Sequence, residues 1–353
     1  MNAELIVRAV DVGYGHTKFT SGRDSATNLI CTDSIPSLSR IAKENRNSGK
    51  GVMSRHDTFI VPVGDRFFEV GRDVANILHG NQVSEVMDDE FSLSDAYNAR
   101  LLGALNYMVP TLPNNIIDIL VLGLPLTTFA KHNEALAERF RGVHVINNRG
   151  ETIEVKSCHV YPQPFGSYTA YTMLKPASSH APLALVVDPG YNTFDWYVCQ
   201  GMTAHDNRSD AVQRGVGSVL RAIAEDLKKK YGFDASADEV VRTLDRALSK
   251  NLPFQMYGKV YDLAPHMAAG NDIIEEAAQS AKNSVGSGSD IEVIIVTGGG
   301  ASYYAKAIAN KFPLHEVVTL EYPATANVRG FHLIGEMLAR SRRRALNVCE
   351  EVA

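Results

Sequence analysis

The sequence predicts an α/β protein of two lobes, and three observations support this fold class. The chain has 353 residues, roughly twice the size of a common domain. Its content of 45% hydrophobic and 21% charged residues is typical of a chain that buries a sizeable core. An apolar strand, an Asp-x-Gly turn and a returning strand occur near the start of each half of the chain.

Composition also disfavours several classes of protein. The 35 Lys and Arg against 40 Asp and Glu give a net charge of −5, so we expect no chain-wide basic surface and no direct binding of nucleic acid. The four cysteines form no C-x-x-C motif, which disfavours a disulfide or zinc framework and fits a reducing cytoplasm. No apolar run approaches the ~18 residues of a membrane span, and charged residues interrupt the N-terminal apolar stretch, so we expect neither a signal peptide nor a membrane partner.

The first half is predicted to contain two hairpins, followed by helices that alternate with strands. Residues 1–10 are mostly apolar and lead to an aspartate and two glycines, which favours a strand and a turn before a returning strand from Thr17. Gly64-Asp65 lies between two apolar runs and is typical of a two-residue hairpin. The polar segment 43–54 between the hairpins is interpreted as a mobile loop. The elements predicted next are a capped amphipathic helix at 94–108, a buried strand at 116–122, a helix at 131–141, and strands at 143–147, 152–156 and 158–161.

The second half restarts with the same kind of strand after a segment rich in Pro, Ala and Ser at 174–182, where we place a boundary between lobes. Hydrophobic periodicity then predicts strands at 183–187, 194–198 and 291–296, and helices at 215–231, 237–249, 271–285, 303–311 and 327–344. We expect one lobe to comprise residues 1–177 with about 331–353, and the other to comprise residues 178–330.

The repeat has a direct chemical interpretation. Asp11-Val12-Gly13-Tyr14 recurs as Asp188-Pro189-Gly190-Tyr191, 177 residues later, and each copy follows an apolar strand and precedes a threonine. Two such lobes would place two carboxylates and two glycine-rich turns on opposite sides of a central cleft. The alternative is that each Asp-x-Gly only forms a turn.

Nucleotide phosphates fit this arrangement. Glycines let backbone N–H groups approach phosphate oxygens, while Thr17 and Thr193 offer hydroxyl donors and Lys18 a positive charge. The aspartates would repel phosphate, so we expect Asp11 and Asp188 to organise a Mg²⁺ ion through water molecules.

Further glycines precede two predicted helices. Gly298-Gly299-Gly300-Ala301 lies between a buried strand and a helix, a pattern typical of an anion or nucleotide contact, with a plain tight turn as the alternative. Gly215 and Gly217 open another helix and give a weaker signal of the same kind. The Walker A pattern, the zinc-protease motif and G-x-S-x-G are absent from the sequence.

In order along the chain, these motifs resemble those of the actin-like ATPase superfamily. Asp11 to Lys18 resembles its first phosphate motif, Gln163 its first connecting motif, Asp188 to Asp195 its second phosphate motif, and Gly298 to Ala301 its adenosine motif, with Gly330 before the terminal helix. Within the superfamily, Leu124-Pro125-Leu126 and Tyr161-Pro162-Gln163 are most similar to plasmid-segregation actins of the ParM/StbA type. Archaeal actin-like proteins and the plasmid PRTRC system protein D group are similar too.

The resemblance implies an actin-like fold of two ribonuclease-H-like lobes, with ATP and Mg²⁺ in the cleft between them and GTP as an alternative nucleotide. It also implies nucleotide-dependent polymerisation into filaments that segregate plasmid DNA, through a DNA-binding adaptor protein on a centromere-like site. By position, Gln163, Asp188 and Asp11 would be catalytic, and Asp11 and Asp188 would organise Mg²⁺. The implied nucleotide-binding residues are Gly13, Tyr14, Gly15, His16, Thr17, Lys18, Gly190, Tyr191, Asn192, Thr193, Gly215, Gly217, Gly298, Gly299, Gly300 and Ala301.

Two departures from the family pattern bear on activity. Relatives often have Glu where this chain has Gln163, and an amide can orient water but cannot act as a general base. Pro189 and Asn192 are bulkier than the usual residues of the second phosphate turn. Two alternatives therefore stay open: a sugar or acid kinase of the same superfamily, and a non-polymerising, nucleotide-dependent switch.

Overall fold

The computed structural model describes residues 5–43, 56–78, 90–174 and 180–351. Its strands are β1 (Val7–Val12), β2 (His16–Arg23), β3 (Ile30–Pro36), β4 (Arg40–Ala42), β5 (Thr58–Val63), β6 (Arg66–Gly71), β7 (Ile116–Ile117), β8 (Ile119–Leu124), β9 (Gly142–Val145), β10 (Thr152–Val155), β11 (Cys158–Pro162), β12 (Leu183–Pro189), β13 (Phe194–Gln200), β14 (Thr203–Ala204), β15 (Asp210–Val212), β16 (Gln255–Met256), β17 (Lys259–Val260), β18 (Val293–Val296) and β19 (Val317–Thr319). Its α-helices are α1 (Val74–Ile77), α2 (Asp95–Met108), α3 (Leu126–Arg139), α4 (Gln163–Leu174), α5 (Val216–Tyr231), α6 (Ala237–Ser249), α7 (Asn271–Val285), α8 (Ala301–Lys311) and α9 (Ala326–Glu351).

The chain divides into two compact units. Unit 1 comprises Met1–Ala181 and Thr325–Ala353, and unit 2 comprises Pro182–Ala324. The predicted mobile loop at 43–54 lies almost entirely outside the described residues, as does most of the predicted boundary segment at 174–182. Within the described residues, no helix has the length and apolar character needed to cross a membrane.

Unit 1 is built on a five-stranded sheet in the order β11-β8-β1-β2-β3. The strands β11, β8 and β1 are parallel, whereas β1, β2 and β3 form an antiparallel meander. Every residue of β1 and β8 is buried, as expected for strands that have helices on both faces. Val7 and Val121 lie against Gly335 of α9, while Val10 and Leu122 belong to the core that α2 also supplies.

Unit 2 repeats this plan. Its main sheet has the order β14-β13-β12-β18-β19, with β12, β18 and β19 parallel and β13 antiparallel to β12. Its core contains residues of β12, β13, β18 and the helices α5, α6, α7 and α8. The sequence repeat is therefore a repeat of sheet topology, in which β1-β2-β8-β11 corresponds to β12-β13-β18-β19.

Smaller sheets extend both units. In unit 1, β4, β6 and β5 form one three-stranded sheet, and β7, β10 and β9 form another. In unit 2, β16 and β17 form a short hairpin.

The structure differs from the sequence-based expectations at three local elements. The predicted strand 116–122 is two strands, because Asp118 accepts a hydrogen bond from the Ile6 backbone N–H and ends the pairing of β7 with β10 before β8 begins. Helix α4 was missed because prolines flank Gln163, yet Pro164 is the second residue of the helix, where a backbone N–H has no helical acceptor to reach. Helix α3 begins at Leu126, directly after Pro125, and not at residue 131.

Candidate functional site

The first phosphate motif forms the turn between β1 and β2, here called the first turn (Gly13 to Gly15). The Gly13 N–H donates to the carbonyl of His16 at 3.2 Å, and Asp11 pairs with Lys18 across the hairpin. A Cβ atom on Gly13 would lie 3.1 Å from that carbonyl oxygen, which makes glycine the best fit here. The glycines and the pairing of β1 with β2 therefore account for the conformation of the first turn.

The Asp11 carboxylate lies at the end of β1 and is 1% exposed. The Gln163 Nε2 atom donates to Asp11 Oδ1 at 2.6 Å, and Lys18 Nζ lies 3.7 Å from Asp11 Oδ2. Since an ionised carboxylate only accepts hydrogen bonds, the amide nitrogen of Gln163 must face Asp11. The Oε1 atom of Gln163 therefore points away from Asp11 as an acceptor. The sequence predicted these residues separately, and the structure brings them together.

Gln163 is the first residue of α4, and the close crossing of α4 with α9 fixes this helix. A Cβ atom on Gly330 of α9 would lie 1.7 Å from the Gly166 carbonyl oxygen, and one on Gly166 would lie 2.4 Å from the Asn327 carbonyl oxygen. The Ser167 hydroxyl and the Asn327 side chain are also 2.5 Å apart across the crossing. Gly330 thus lies within the terminal helix rather than before it, and its close helix contact fixes the backbone that carries Gln163.

Two residues beside the first turn were missed from the sequence. Tyr97 of α2 is fully buried, and burial followed by the charge of Asp11 raises the pKa of its phenol well above the usual range. Ser37 forms a 2.9 Å hydrogen bond with the buried hydroxyl of Thr17. Either hydroxyl can be the donor in this pair, so Thr17 keeps its role as a predicted phosphate donor. Neither Tyr97 nor Ser37 belongs to a recognisable motif.

The remaining residues of the first turn have their own surroundings. The Tyr14 ring stacks on Phe91 with centroids 6.2 Å apart. His16 is exposed at the start of β2, and the Gly15 carbonyl accepts from the Ser37 N–H at 2.9 Å. The first turn is therefore held on one side by an aromatic contact and on the other by the segment after β3.

The second phosphate motif forms the turn between β12 and β13, here called the second turn (Gly190 to Asn192). The Gly190 N–H donates to the Thr193 carbonyl at 2.8 Å, and Asp188 pairs with Asp195 across the hairpin. These are the same backbone contact and the same strand pairing as in the first turn. The position of Lys18 in the first hairpin is taken by Asp195 in the second.

Asp195 is a buried acid beside the second turn. Its Oδ2 atom accepts from the Thr193 hydroxyl at 2.6 Å, while its Oδ1 atom has no hydrogen-bond partner among the described residues. Burial raises the pKa of Asp195 to about 7 against the opposing hydrogen bond from Thr193, and the charge of Asp188 adds to the increase. The hydroxyl proton of Thr193 is therefore used within the protein, so its oxygen remains as an acceptor rather than a donor.

Helix α5 begins against the second turn. The N–H groups of Gly215 and Gly217 donate to the carbonyls of Asn192 and Tyr191 at 3.0 and 2.7 Å. A Cβ atom on Gly215 would lie 2.5 Å from the Tyr191 carbonyl oxygen, and one on Gly217 would lie 2.9 Å from the Tyr191 ring. Both glycines thus have a packing role that brings a helix N-terminus to the turn.

The third glycine cluster lies between β18 and α8 and contacts the second turn. Gly298 has φ +76°, and a Cβ atom there would lie 2.1 Å from Asp188 Oδ1. The Gly300 N–H donates to the Pro189 carbonyl at 2.9 Å, and Ala301 begins α8. Gly299 is exposed, and a Cβ atom there would have no described atom within 4 Å, so a ligand could approach its backbone. The structure therefore brings Gly298 against Asp188 and Gly300 against Pro189.

The predicted residues thus form two sets, one in each unit. Asp11, Lys18 and Gln163 meet at the first turn, whereas Asp188 and the glycines of 215–217 and 298–300 meet at the second. Within the described residues, no group of three or more His, Cys, Asp or Glu side chains could hold a metal ion on its own. A Mg²⁺ ion at these carboxylates would need ligands that the side chains do not supply, such as water and phosphate oxygens.

Comparisons with known proteins agree with this fold. A family model for the N-terminal domain of actin-like proteins matches residues 9–166, and one for the C-terminal part of the MreB-like archaeal actin homologue matches residues 186–310. No curated protein matches the chain.

Solved structures are similar over nearly their whole length. Ta0583, an archaeal actin homolog, is 19% identical with a TM-score of 0.72, covering 94% of this chain and 100% of the other. The same homolog in complex with ADP is 18% identical with a TM-score of 0.69, covering 94% of this chain and 100% of the other. A protomer of a 15-stranded ParM filament from Clostridium botulinum is 16% identical with a TM-score of 0.69, covering 95% of this chain and 100% of the other. The predicted fold class is therefore confirmed as a mixed α/β, actin-like fold of two lobes, and the two family matches together place this chain in the actin-like protein superfamily.

Proposed function

We propose that this protein binds and hydrolyses ATP with Mg²⁺ and assembles into nucleotide-dependent filaments. The observation that carries the proposal is the repeated hairpin, in which both copies share strand register, glycine contact and a terminal aspartate. Backbone N–H groups of such turns and of helix N-termini bind phosphate oxygens. Two further observations come from similar proteins: one was solved in complex with ADP, and others were solved as filaments.

The residues present fit a Mg²⁺ nucleotide. Asp11 and Asp188 supply hard carboxylate oxygens of the kind that Mg²⁺ prefers, and the open backbone at Gly299 leaves room for a ligand. Bound Mg²⁺ would neutralise charge on the phosphates. In this proposal Asp11 and Asp188 hold water molecules of the ion, and the backbone of both turns holds phosphate.

Gln163 is proposed to orient the attacking water. The hydrogen bond from Gln163 Nε2 to Asp11 fixes the amide plane, which leaves Oε1 to accept a hydrogen bond from water. An amide does not remove the proton of that water, so we expect slow hydrolysis compared with a site that has a carboxylate base.

The biological role that we propose is plasmid DNA segregation in the cytoplasm, through a separate DNA-binding adaptor. The net charge of −5 supports the need for an adaptor, because DNA backbone binding requires a basic surface. Similarity to ParM, AlfA and Alp12 filament structures supports self-association. A kinase of the superfamily is the second candidate, and a steady phosphate transfer to an added sugar or acid without assembly would favour it.

The test uses the purified protein at micromolar concentration with Mg²⁺ and either ATP, GTP or no nucleotide. We expect light scattering to rise only with nucleotide and to decay as phosphate is released. Asp188→Ala should abolish hydrolysis without unfolding the protein, and Gln163→Ala should slow hydrolysis and lengthen filament lifetime. Wild-type turnover in Asp188→Ala would overturn the site, and hydrolysis without any rise in scattering would overturn assembly.

A further inference from the structure

A tyrosine, a histidine and an aspartate of unit 2 are joined by hydrogen bonds outside the proposed nucleotide site. His266 Nδ1 lies 2.6 Å from Asp226 Oδ2, and His266 Nε2 lies 3.4 Å from the Tyr231 hydroxyl. Asp226 and Tyr231 belong to α5, whereas His266 lies in the short 3₁₀ helix Ala264–Gly270. We call these three residues the Tyr231 triad. The proposed function uses none of them.

Close packing of the 3₁₀ helix against α5 fixes the histidine. A Cβ atom on Gly270 would lie 2.5 Å from Cγ1 of Val219, so the two helices approach closely at this point. His266 is only 4% exposed, which means that protein encloses its ring on nearly every side. The imidazole is therefore held between the carboxylate of Asp226 and the phenol of Tyr231.

The hydrogen bonds define which nitrogen of His266 carries the proton. An ionised carboxylate only accepts hydrogen bonds, so Nδ1 must donate to Asp226. In a neutral imidazole the other ring nitrogen then offers a lone pair. That nitrogen is Nε2, which faces the Tyr231 hydroxyl and accepts its hydrogen bond. A nucleophile, a base and a carboxylate that orients the base are arranged in the same way in enzymes that form covalent intermediates.

Aromatic rings hold Tyr231, and yet the side chain stays open to solvent. Its ring centroid lies 4.8 Å from that of Tyr261, 5.5 Å from that of His266 and 5.7 Å from that of Phe233. Tyr231 is nevertheless 39% exposed, so a reagent in solution can approach it. The phenol thus combines a fixed orientation with access from solvent.

We propose that the Tyr231 triad makes Tyr231 a nucleophilic modification site, which takes an acyl group from an activated ester. An uncharged acyl donor matches the apolar rings around the phenol. His266 is the general base in this proposal, and Asp226 is a positioning residue that acts through His266. The inference does not depend on nucleotide binding or on assembly.

The step balances without any further reagent. Tyr231 Oη forms a bond to the carbonyl carbon of the ester, and the bond from that carbon to the leaving oxygen breaks. The phenol proton moves to His266 Nε2, and the Asp226 carboxylate stabilises the imidazolium that results. His266 then returns the proton to the departing group or to water. The product is an acyl ester of Tyr231, with one acyl group per chain.

The test uses p-nitrophenyl acetate as the acyl donor and peptide mass spectrometry to measure acetylation of each tyrosine in the whole protein. Tyr257 of unit 2 is the internal control, because it is 62% exposed and its hydroxyl accepts from the Ala235 N–H at 2.9 Å instead of facing an imidazole. Exposure alone would make Tyr257 react faster. We expect Tyr231 to be acetylated about tenfold faster or more, since a positioned general base accelerates such a step at least this much.

Variants separate the triad from its surroundings. His266→Gln removes the base and Asp226→Asn removes the charge that stabilises the imidazolium, so each should slow acetylation of Tyr231 by about tenfold or more and leave Tyr257 unchanged. Asp226→Glu keeps a carboxylate and should restore most of the rate that Asp226→Asn loses. A purely structural role of Asp226 would not produce this recovery.

Thermal unfolding checks each variant before the measurement. The Asp226 side chain is 45% exposed, so we expect both of its variants to fold. If His266→Gln does not fold, the Asp226 variants and the comparison of Tyr231 with Tyr257 in the wild type decide the question. Acetylation of Tyr231 that is no faster than that of Tyr257, or an unchanged rate at Tyr231 in Asp226→Asn, would overturn the proposal.

Discussion

The crossing of α4 and α9 gives the most direct quantitative prediction, which is the effect of Gly330→Ala. The added Cβ would lie 1.7 Å from the Gly166 carbonyl oxygen, whereas an ordinary contact requires at least 3.4 Å. The helices would have to separate by about 1.7 Å, since the obstructing atom belongs to the backbone and cannot rotate away. Overpacking of this kind costs about 3 kcal/mol, and the better helix propensity of Ala returns about 1 kcal/mol. We expect unit 1 to lose about 2 kcal/mol of stability.

The matched control is Gly335→Ala on the same helix. There the added Cβ would lie 2.4 Å from Cγ1 of Val7, a side-chain atom rather than backbone, so we expect a smaller loss. Thermal unfolding should show a decrease of about 4–8 °C for Gly330→Ala. If Gly330→Ala unfolds at or above the temperature of Gly335→Ala, the close crossing is not what holds these helices.

Two further predictions concern the acid range and the second turn. Burial raises the pKa of Glu336, but the hydrogen bond from Arg23 helps to lower that pKa to about 2. The ionised carboxylate therefore stabilises the fold fully above pH 4.5, and this stabilisation is lost as the pH falls toward 2. Glu336→Gln should therefore lower the free energy of unfolding by up to about 3 kcal/mol at pH 7 and by almost nothing at pH 2. Urea unfolding that shows the same loss of stability at both pH values would contradict this prediction. Gly217→Ala places a Cβ 2.9 Å from the Tyr191 ring and should weaken binding of a fluorescent ATP analogue by about tenfold, since it displaces the second turn. An unchanged dissociation constant would show that the turn tolerates the shift.

Local sequence patterns predicted both hairpins and the third glycine cluster of the site, but they missed helix α4, which carries Gln163. The glycines and the apolar strands that end at Asp11 and Asp188 were sufficient to place both hairpins, because strand pairing across a short turn depends on residues close in sequence. The glycines of 298–300 were also found from their position between a buried strand and a helix.

Contacts between distant residues could not be predicted in the same way. The pairing of Asp11 with Gln163 joins residues 152 apart, and the contact of Gly298 with Asp188 joins strands that are separate in sequence. The hydroxyls of Thr17 and Thr193 are predicted to face a ligand, and the structure adds that they also form hydrogen bonds with Ser37 and Asp195. Nothing in a linear pattern tells which of two acceptors a hydroxyl reaches.

By itself, the sequence determined a two-lobed α/β protein with a repeated Asp-x-Gly turn, because period, turn chemistry and internal similarity are local properties of the chain. Only the tertiary structure decided which side chains meet at those turns, that glycines 166 and 330 let two helices cross, and that His266 lies between Asp226 and Tyr231. These features depend on how elements that are distant in sequence pack against each other. Local sequence does not fix the orientation of a side chain, whereas close packing in the folded protein does.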